Sequence, residues 1–171
     1  QVDTVVSGQR RKTIWSAPDN GSTSSTTLSI TTATGQIGSS IQIIACTGVD
    51  TATADGVVQH ITASGSSTTP SLTLSAFGNS NNACVFAINY AGNNSPTSNN
   101  LTNATGFPQE DKGTLPSNSA QVGFQASQNL TPNFVFAGSA GWLAIGIELK
   151  LASAGTTLSA VYYRRLVAGI G

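Results

Sequence analysis

The sequence predicts an all-β fold: a two-sheet antiparallel sandwich of about ten short strands, in one domain spanning residues 1–171. Three observations predict it. Apolar residues come in clusters of about four to eight, rich in β-branched side chains and fenced by Gly, Pro, Asn or Ser. No stretch sustains a helical period. Only 8% of the 171 residues are charged, against about 25% in an ordinary soluble domain, so the polar surface must be built from Ser, Thr, Asn, Gln and Gly. Hydrophobic residues make up 39%, enough for one packed core. Disorder would need scarce apolar residues and a high net charge, and the net charge here is zero.

The strands are read in order along the chain. Residues 12–15 open it, and Ala17-Pro18-Asp19-Asn20-Gly21 is a strong turn signal, with Pro presetting φ and Gly supplying a positive one. Residues 26–32 alternate, with Leu28 and Ile30 on one face and Thr27, Ser29 and Thr31 on the other. Residues 71–76 do the same, with Leu72 and Leu74 inward, so both runs predict strands with one wet face. Residues 41–46, 84–88 and 142–149 are apolar on both faces and predict central strands, or strands covered by another subunit. Residues 57–62, 121–126, 133–137 and 157–164 complete the set. Residues 1–25 read as an N-terminal arm with a first strand, and 156–171 as a C-terminal strand and tail. The stretch 91–119, dominated at its start by Asn, Ser and Thr, predicts a long irregular loop.

Chemistry-bearing residues are few. His60 is the sole histidine, with Asp50 and Asp55 near it in sequence. A Ser-His-Asp set can be drawn on paper, but no Gly-x-Ser-x-Gly elbow accompanies it, and a hydrogen-bonded strand histidine is the preferred reading. Two Cys and one His do not fit a zinc motif. Asp50 and Asp55 share one loop and are weak calcium candidates, since calcium takes oxygen ligands. Paired acids for glycoside hydrolysis find no convincing pair. Glu148 stands out because its strand is apolar: facing inward it needs a partner, and Lys150 is the nearest on the same face. Cys46 and Cys84 lie in strand-like runs, as buried thiols or as a disulfide candidate pair. No catalytic residue, resident metal or cofactor is expected.

The bases gather at the ends. Arg10, Arg11 and Lys12, with Val5 and Val6 before them, and Leu158, Tyr162, Tyr163, Arg164 and Arg165 are candidates for contacts between subunits. A neutral chain offers no field that draws nucleic acid, so a protein neighbour is preferred there. No run of about 20 apolar residues is present, since the most apolar stretch carries Glu148 and Lys150, so no membrane-inserted helix is expected. Trp15 and Tyr90 are candidates for stacking on sugar rings. Glycosylation sequons occur at Asn20, Asn93, Asn100, Asn103 and Asn129. The sequence starts at Gln1 and contains no Met, which suggests either a start made by proteolysis, of which removal of a secretory signal is one source, or a piece of a longer chain.

Two segments carry a resemblance. Residues 43–50 read I-I-A-C-T-G-V-D, and residues 141–151 read G-W-L-A-I-G-I-E-L-K-L. They resemble the strand-then-GVD element and the closing W-x-A-x-A-x-E-L-K strand of β-sandwich domains in phage virion proteins and related bacterial surface proteins. The resemblance covers about residues 26–152. It implies a jelly-roll or concanavalin-like sandwich on a virion surface or outside a cell. It transfers no catalytic residue. The family usually has further strands before the first match, where only about twenty-five residues precede it in this sequence, so the resemblance implies either a smaller sheet or a strand filled in from another subunit, for which residues 2–8 or 158–164 are candidates. The functional expectation is a structural subunit of a homo-oligomer, partnered by itself and other virion or surface proteins. The second reading is a carbohydrate-binding module or adhesin that meets a glycan.

Overall fold

The computed structural model describes residues 2–7, 10–17, 39–52, 56–90, 97–98, 119–132, 134–136, 138–152 and 159–167. The fold is all-β, with no helix among the described residues. Its strands are β1 (Asp3–Ser7), β2 (Arg10–Ile14), β3 (Ser39–Thr47), β4 (Val57–Ser67), β5 (Ala83–Tyr90), β6 (Thr97–Ser98), β7 (Ser119–Gln125), β8 (Phe134–Val135), β9 (Ala140–Leu149) and β10 (Ser159–Val167).

A four-stranded antiparallel sheet in the order β4-β9-β5-β7 forms the centre. The doubly apolar runs in β5 and β9 occupy its two inner positions. Alternation sends their side chains to two separate clusters. Ala83, Val85, Ala87, Leu143, Ile145, Ile147 and Leu149 pack on one face with Val5, Val122 and Phe124. Cys84, Phe86, Ile88, Trp142 and Ala144 pack on the other, under Leu72, Leu74, Phe134 and Phe136. The sheet is thus covered on both sides, as its continuous apolar runs demand.

The cover on the first face begins with the β1–β2 hairpin. Ser7 pairs with Arg10, leaving a two-residue connection that starts with glycine, a composition such connections favour. Val5 and Lys12 are paired and both are buried. The other face is covered by residues 70–77. Leu72 and Leu74 are buried while Ser71, Thr73 and Ser75 are exposed, as alternation predicts. Yet this run joins no ladder. It is tied to the body by single bonds, including Leu74 N to Leu130 O at 2.8 Å and Ser75 N to the Gln59 side chain at 3.0 Å.

Three expectations need correction. The apolar run of β3 is not a member of the four-stranded sheet; it pairs with β10, from Ser159 opposite Thr47 to Val167 opposite Ser39. Its Ile44 and Cys46 pack half-buried against the first cluster. Of the strand expected at 133–137, the described residues are 134–136, and Phe134–Val135 form β8, paired with β6, while Phe136 lies outside the ladder. The expected irregular stretch 91–119 therefore contains a short strand, β6. The strand expected at 26–32 lies outside the described residues.

Glycine is required where strands approach their cover. A Cβ on Gly146 would sit 2.8 Å from two ring carbons of Phe86 and 3.2 Å from Leu72. Both neighbours are buried, so neither can yield cheaply. Gly146→Ala is expected to cost roughly 1–3 kcal/mol by overpacking, read as a lower denaturation midpoint with an unchanged slope.

Candidate functional site

Among the described residues, the polar side chains taken out of water form two groups, one on each face of the central sheet. The first lies beneath the β1–β2 hairpin. Strand alternation puts Lys12 on the same side as Ile14, which packs against the apolar cluster, so the lysine stem is carried inward. Its Nζ donates to Asn89 Oδ1 at 2.8 Å. Asn89 sits near the end of β5, on the face that also carries Ala87 and Val85. The partner is a neutral amide. Burial alone therefore drives the Lys12 amine down, from its ordinary 10.5 to about 7. Lys12 was expected at a subunit surface with Arg10 and Arg11, and the structure overturns that: Arg11 is exposed and Lys12 is inside.

A second polar link sits on the same face. Asp3 Oδ2 of β1 meets His60 Nδ1 of β4 at 2.7 Å, with the histidine half-exposed. Asp3 Oδ1 accepts from the Thr4 backbone at 2.7 Å. His60 is thus the hydrogen-bonded strand histidine preferred from the sequence. Its acid comes from the N-terminal hairpin rather than from Asp50 or Asp55.

The opposite face holds Glu148, which is fully buried in β9. One carboxyl oxygen accepts from Gln59 Nε2 and the other from Asn82 Nδ2, both at 2.6 Å. These amides are themselves anchored. Gln59 bonds both backbone groups of Ser75, at 3.0 and 3.1 Å, and Asn82 Oδ1 accepts the Leu151 backbone N–H at 3.0 Å. One acid therefore ties β4 and β9 to the covering run and to the turn before β5. The expected partner, Lys150, instead pairs with Asp50 at 2.7 Å at the surface. That amine, together with the Ala52 backbone N–H, holds the Asp50 carboxyl below its usual range.

Asp50 is the calcium candidate within view, and its carboxylate is occupied by Lys150; Asp55 lies outside the described residues. No group of three or more His, Cys, Asp or Glu side chains stands together among the described residues. Cys46 and Cys84 are both free thiols, packed on opposite faces of the sheet, so the candidate disulfide is not formed. Burial raises Cys46 to about 11 and Cys84 to about 12. Both thiols are expected to react slowly with a disulfide reagent in the native protein and at once in denaturant. A timed thiol titration at mildly alkaline pH checks this.

Among the remaining candidates, Val5 is buried and Val6 is exposed. Trp15, just past β2, is 67% exposed. Arg10 and Tyr90 are placed by their strands alone, and so are Tyr162, Tyr163, Arg164 and Arg165, which pair with Ile44, Ile43, Gln42 and Ile41 of their own chain. Leu158, Asn20, Asn93, Asn100 and Asn103 lie outside the described residues. Asn129 is half-buried, donates to Gln125 Oε1 at 3.1 Å and accepts from Thr131 N at 3.1 Å. A glycan on its Nδ2 would have to disrupt that Gln125 contact. Trp142 is buried, with its indole N–H on Ser67 Oγ at 3.1 Å.

Sequence reasoning missed Gln59, Asn82 and Asn89. Amide residues are so frequent here that their type carries no signal. A signal did exist for Lys12, in its spacing from Ile14.

No family model matches this chain, and neither a curated protein nor a solved structure matches it.

Proposed function

We propose that the chain is a non-enzymatic structural subunit of a homo-oligomeric surface assembly: a virion decoration or fibre protein, or the subunit of an extracellular filament. In this reading the central sheet and the layers on it form a jelly-roll-like sandwich of about ten strands. One observation carries the reading. The described carboxylates are all spent on architecture: Asp3 joins the hairpin to β4, Asp50 joins its loop to the end of β9, and Glu148 joins three segments through amides. Among the described residues, the exposed positions are rich in Ser and Thr, around a doubly covered apolar sheet. Such a body suits a long-lived assembly held by backbone pairing and apolar contact.

Electron microscopy and sedimentation of the purified chain test this. Filaments, shells or defined oligomers that persist in high salt are expected, because few ion pairs are available to be screened. A monomer at every concentration would sink the proposal. The exposed Trp15 favours one second reading, a carbohydrate-binding module or adhesin. A monomer whose Trp fluorescence shifts saturably with a glycan, and no longer does so in Trp15→Ala, would establish that instead.

A further inference from the structure

The β1–β2 hairpin lies on the central sheet without joining it. Its two strands form a ladder with each other, and the four-stranded sheet includes neither. Side chains hold it down: Val5 in the first apolar cluster, Asp3 on His60 and Lys12 on Asn89. The last contact is chemically unlike the others. It sets an amine against a carboxamide, with Lys12 buried and Asn89 half-buried. Lys12 Nζ lies 2.8 Å from Asn89 Oδ1. A carbonyl bond is about 1.2 Å long, so the amide carbon lies no further than about 4 Å from the amine. A small rotation at the end of the lysine stem exchanges the hydrogen bond for approach to that carbon. Burial leaves the amine mostly uncharged above about pH 7, with its lone pair free to attack. No other described group facing it would keep it protonated. Asp3 on β1 is engaged by His60 on β4, and Arg11 on β2 is exposed and of like charge. Cys84 on β5 and Glu148 on β9 face the opposite side of the sheet. The Cys46 thiol of β3, on the same side, is pushed up to about 11 and stays neutral.

We propose that Lys12 and Asn89 of one chain join in a side-chain amide bond, a covalent strut between the hairpin and β5. Nζ attacks the Asn89 amide carbon, a C–N bond forms, and the carbonyl electron pair moves onto Oδ1. When that pair returns, the bond to Nδ2 breaks. The leaving nitrogen takes the proton that Nζ gives up and departs as ammonia. An amine and a primary amide become a secondary amide and ammonia, so nothing is oxidised or reduced. Asn89 is partly exposed, which lets the ammonia escape and keeps the step from reversing. Groups held in attack geometry react as if present at effective molarities of about 10⁵–10⁸ M, and the fold supplies that advantage here. Each described carboxylate is engaged elsewhere: Asp3 by His60, Asp50 by Lys150 and Glu148 by its two amides. The proton therefore passes between the two nitrogens without a relay. Closure is slow for that reason, and the freshly folded chain still carries a free, titrating Lys12. The bond needs only one copy of the chain, whether or not that chain assembles.

Peptide mapping of the full chain by mass spectrometry tests this. Folded protein is kept warm for days, then denatured and cut before each aspartate, which releases residues 3–18 and 55–110 as separate peptides. The two are expected to appear joined through Lys12 and Asn89, lighter by one ammonia. Location matters, because ammonia is also lost when other asparagines or glutamines cyclise. The joined fraction should grow about tenfold faster at about pH 9 than at about pH 6, following the uncharged share of an amine that titrates at about 7. Lys12→Met and Asn89→Leu should each leave the peptides separate. The unaltered sequence incubated in guanidinium chloride should do the same, which ties the reaction to the fold without relying on a variant. Separate peptides after long incubation of the folded chain at about pH 9 would overturn the proposal. So would an equal yield of joined peptides from the unfolded chain.

Discussion

Lys12→Met is expected to remove a pH dependence of stability worth roughly 5 kcal/mol between pH 7 and 10.5. The sign follows from which state holds the proton. The folded amine titrates at about 7 and the unfolded one at 10.5, so between those values the unfolded chain binds more protons. Stability of the native protein therefore rises with pH across that window. Below it the full penalty of a buried ammonium applies, and above it none does. Methionine fills the same space and carries no charge. The difference between native and variant unfolding free energies should be near zero at high pH and widen as pH falls. Urea denaturation at a series of pH values measures it. A difference independent of pH would mean that Lys12 is not buried as a neutral amine.

The second large effect is expected at Asn82. Truncation to alanine removes one donor from the buried Glu148 and one acceptor from the Leu151 backbone. Each group is left without that partner in a site the sheet shields from water, and the combined cost is roughly 3 kcal/mol. Partners matter more than the amide itself. In a Glu148→Leu background the acid no longer needs a donor, so the same Asn82→Ala change should cost measurably less. A double-mutant cycle by chemical denaturation reads that coupling, and additive costs would show that the two side chains act independently. Such a network rewards completeness: satisfied, it fixes one arrangement of four segments, and half-satisfied it costs more than an apolar core.

The residues show how far local pattern carries. Inner strands β5 and β9 were legible because an apolar run with no polar face has to be covered twice. The same reasoning did not place β3 beside them. Its run is equally apolar, but its ladder partner is β10, over a hundred residues away, and nothing local encodes that choice. Residues 70–77 fall between these cases. Leu72 and Leu74 point inward as alternation requires, yet the run forms no ladder, because its backbone bonds go to single positions such as Leu130. Side-chain direction is a property of extended backbone, while ladder membership is a property of the neighbour.

The polar residues divide in the same way. That Glu148 would need a partner could be read from its apolar strand, but not which partner. Lys150 was nearer in sequence, yet it leaves the strand for Asp50. Gln59 and Asn82 reach the acid only because β4 lies beside β9 and the turn before β5 closes under it. Lys12 was read from its charge and its arginine neighbours, when its spacing from Ile14 was the better guide.

The sequence by itself determined a chain of short strands, their inward and outward faces, and a nearly uncharged surface. These follow from the two-residue repeat of extended backbone and from composition, which need no knowledge of neighbours. Only the tertiary structure decided the strand order, the opposite faces of Cys46 and Cys84, and the pairing of Lys12 with Asn89 and of Glu148 with its two amides. Those depend on register between segments far apart in the chain. A shift of one residue there exchanges every face and every partner, while the local pattern that can be read from the sequence stays the same.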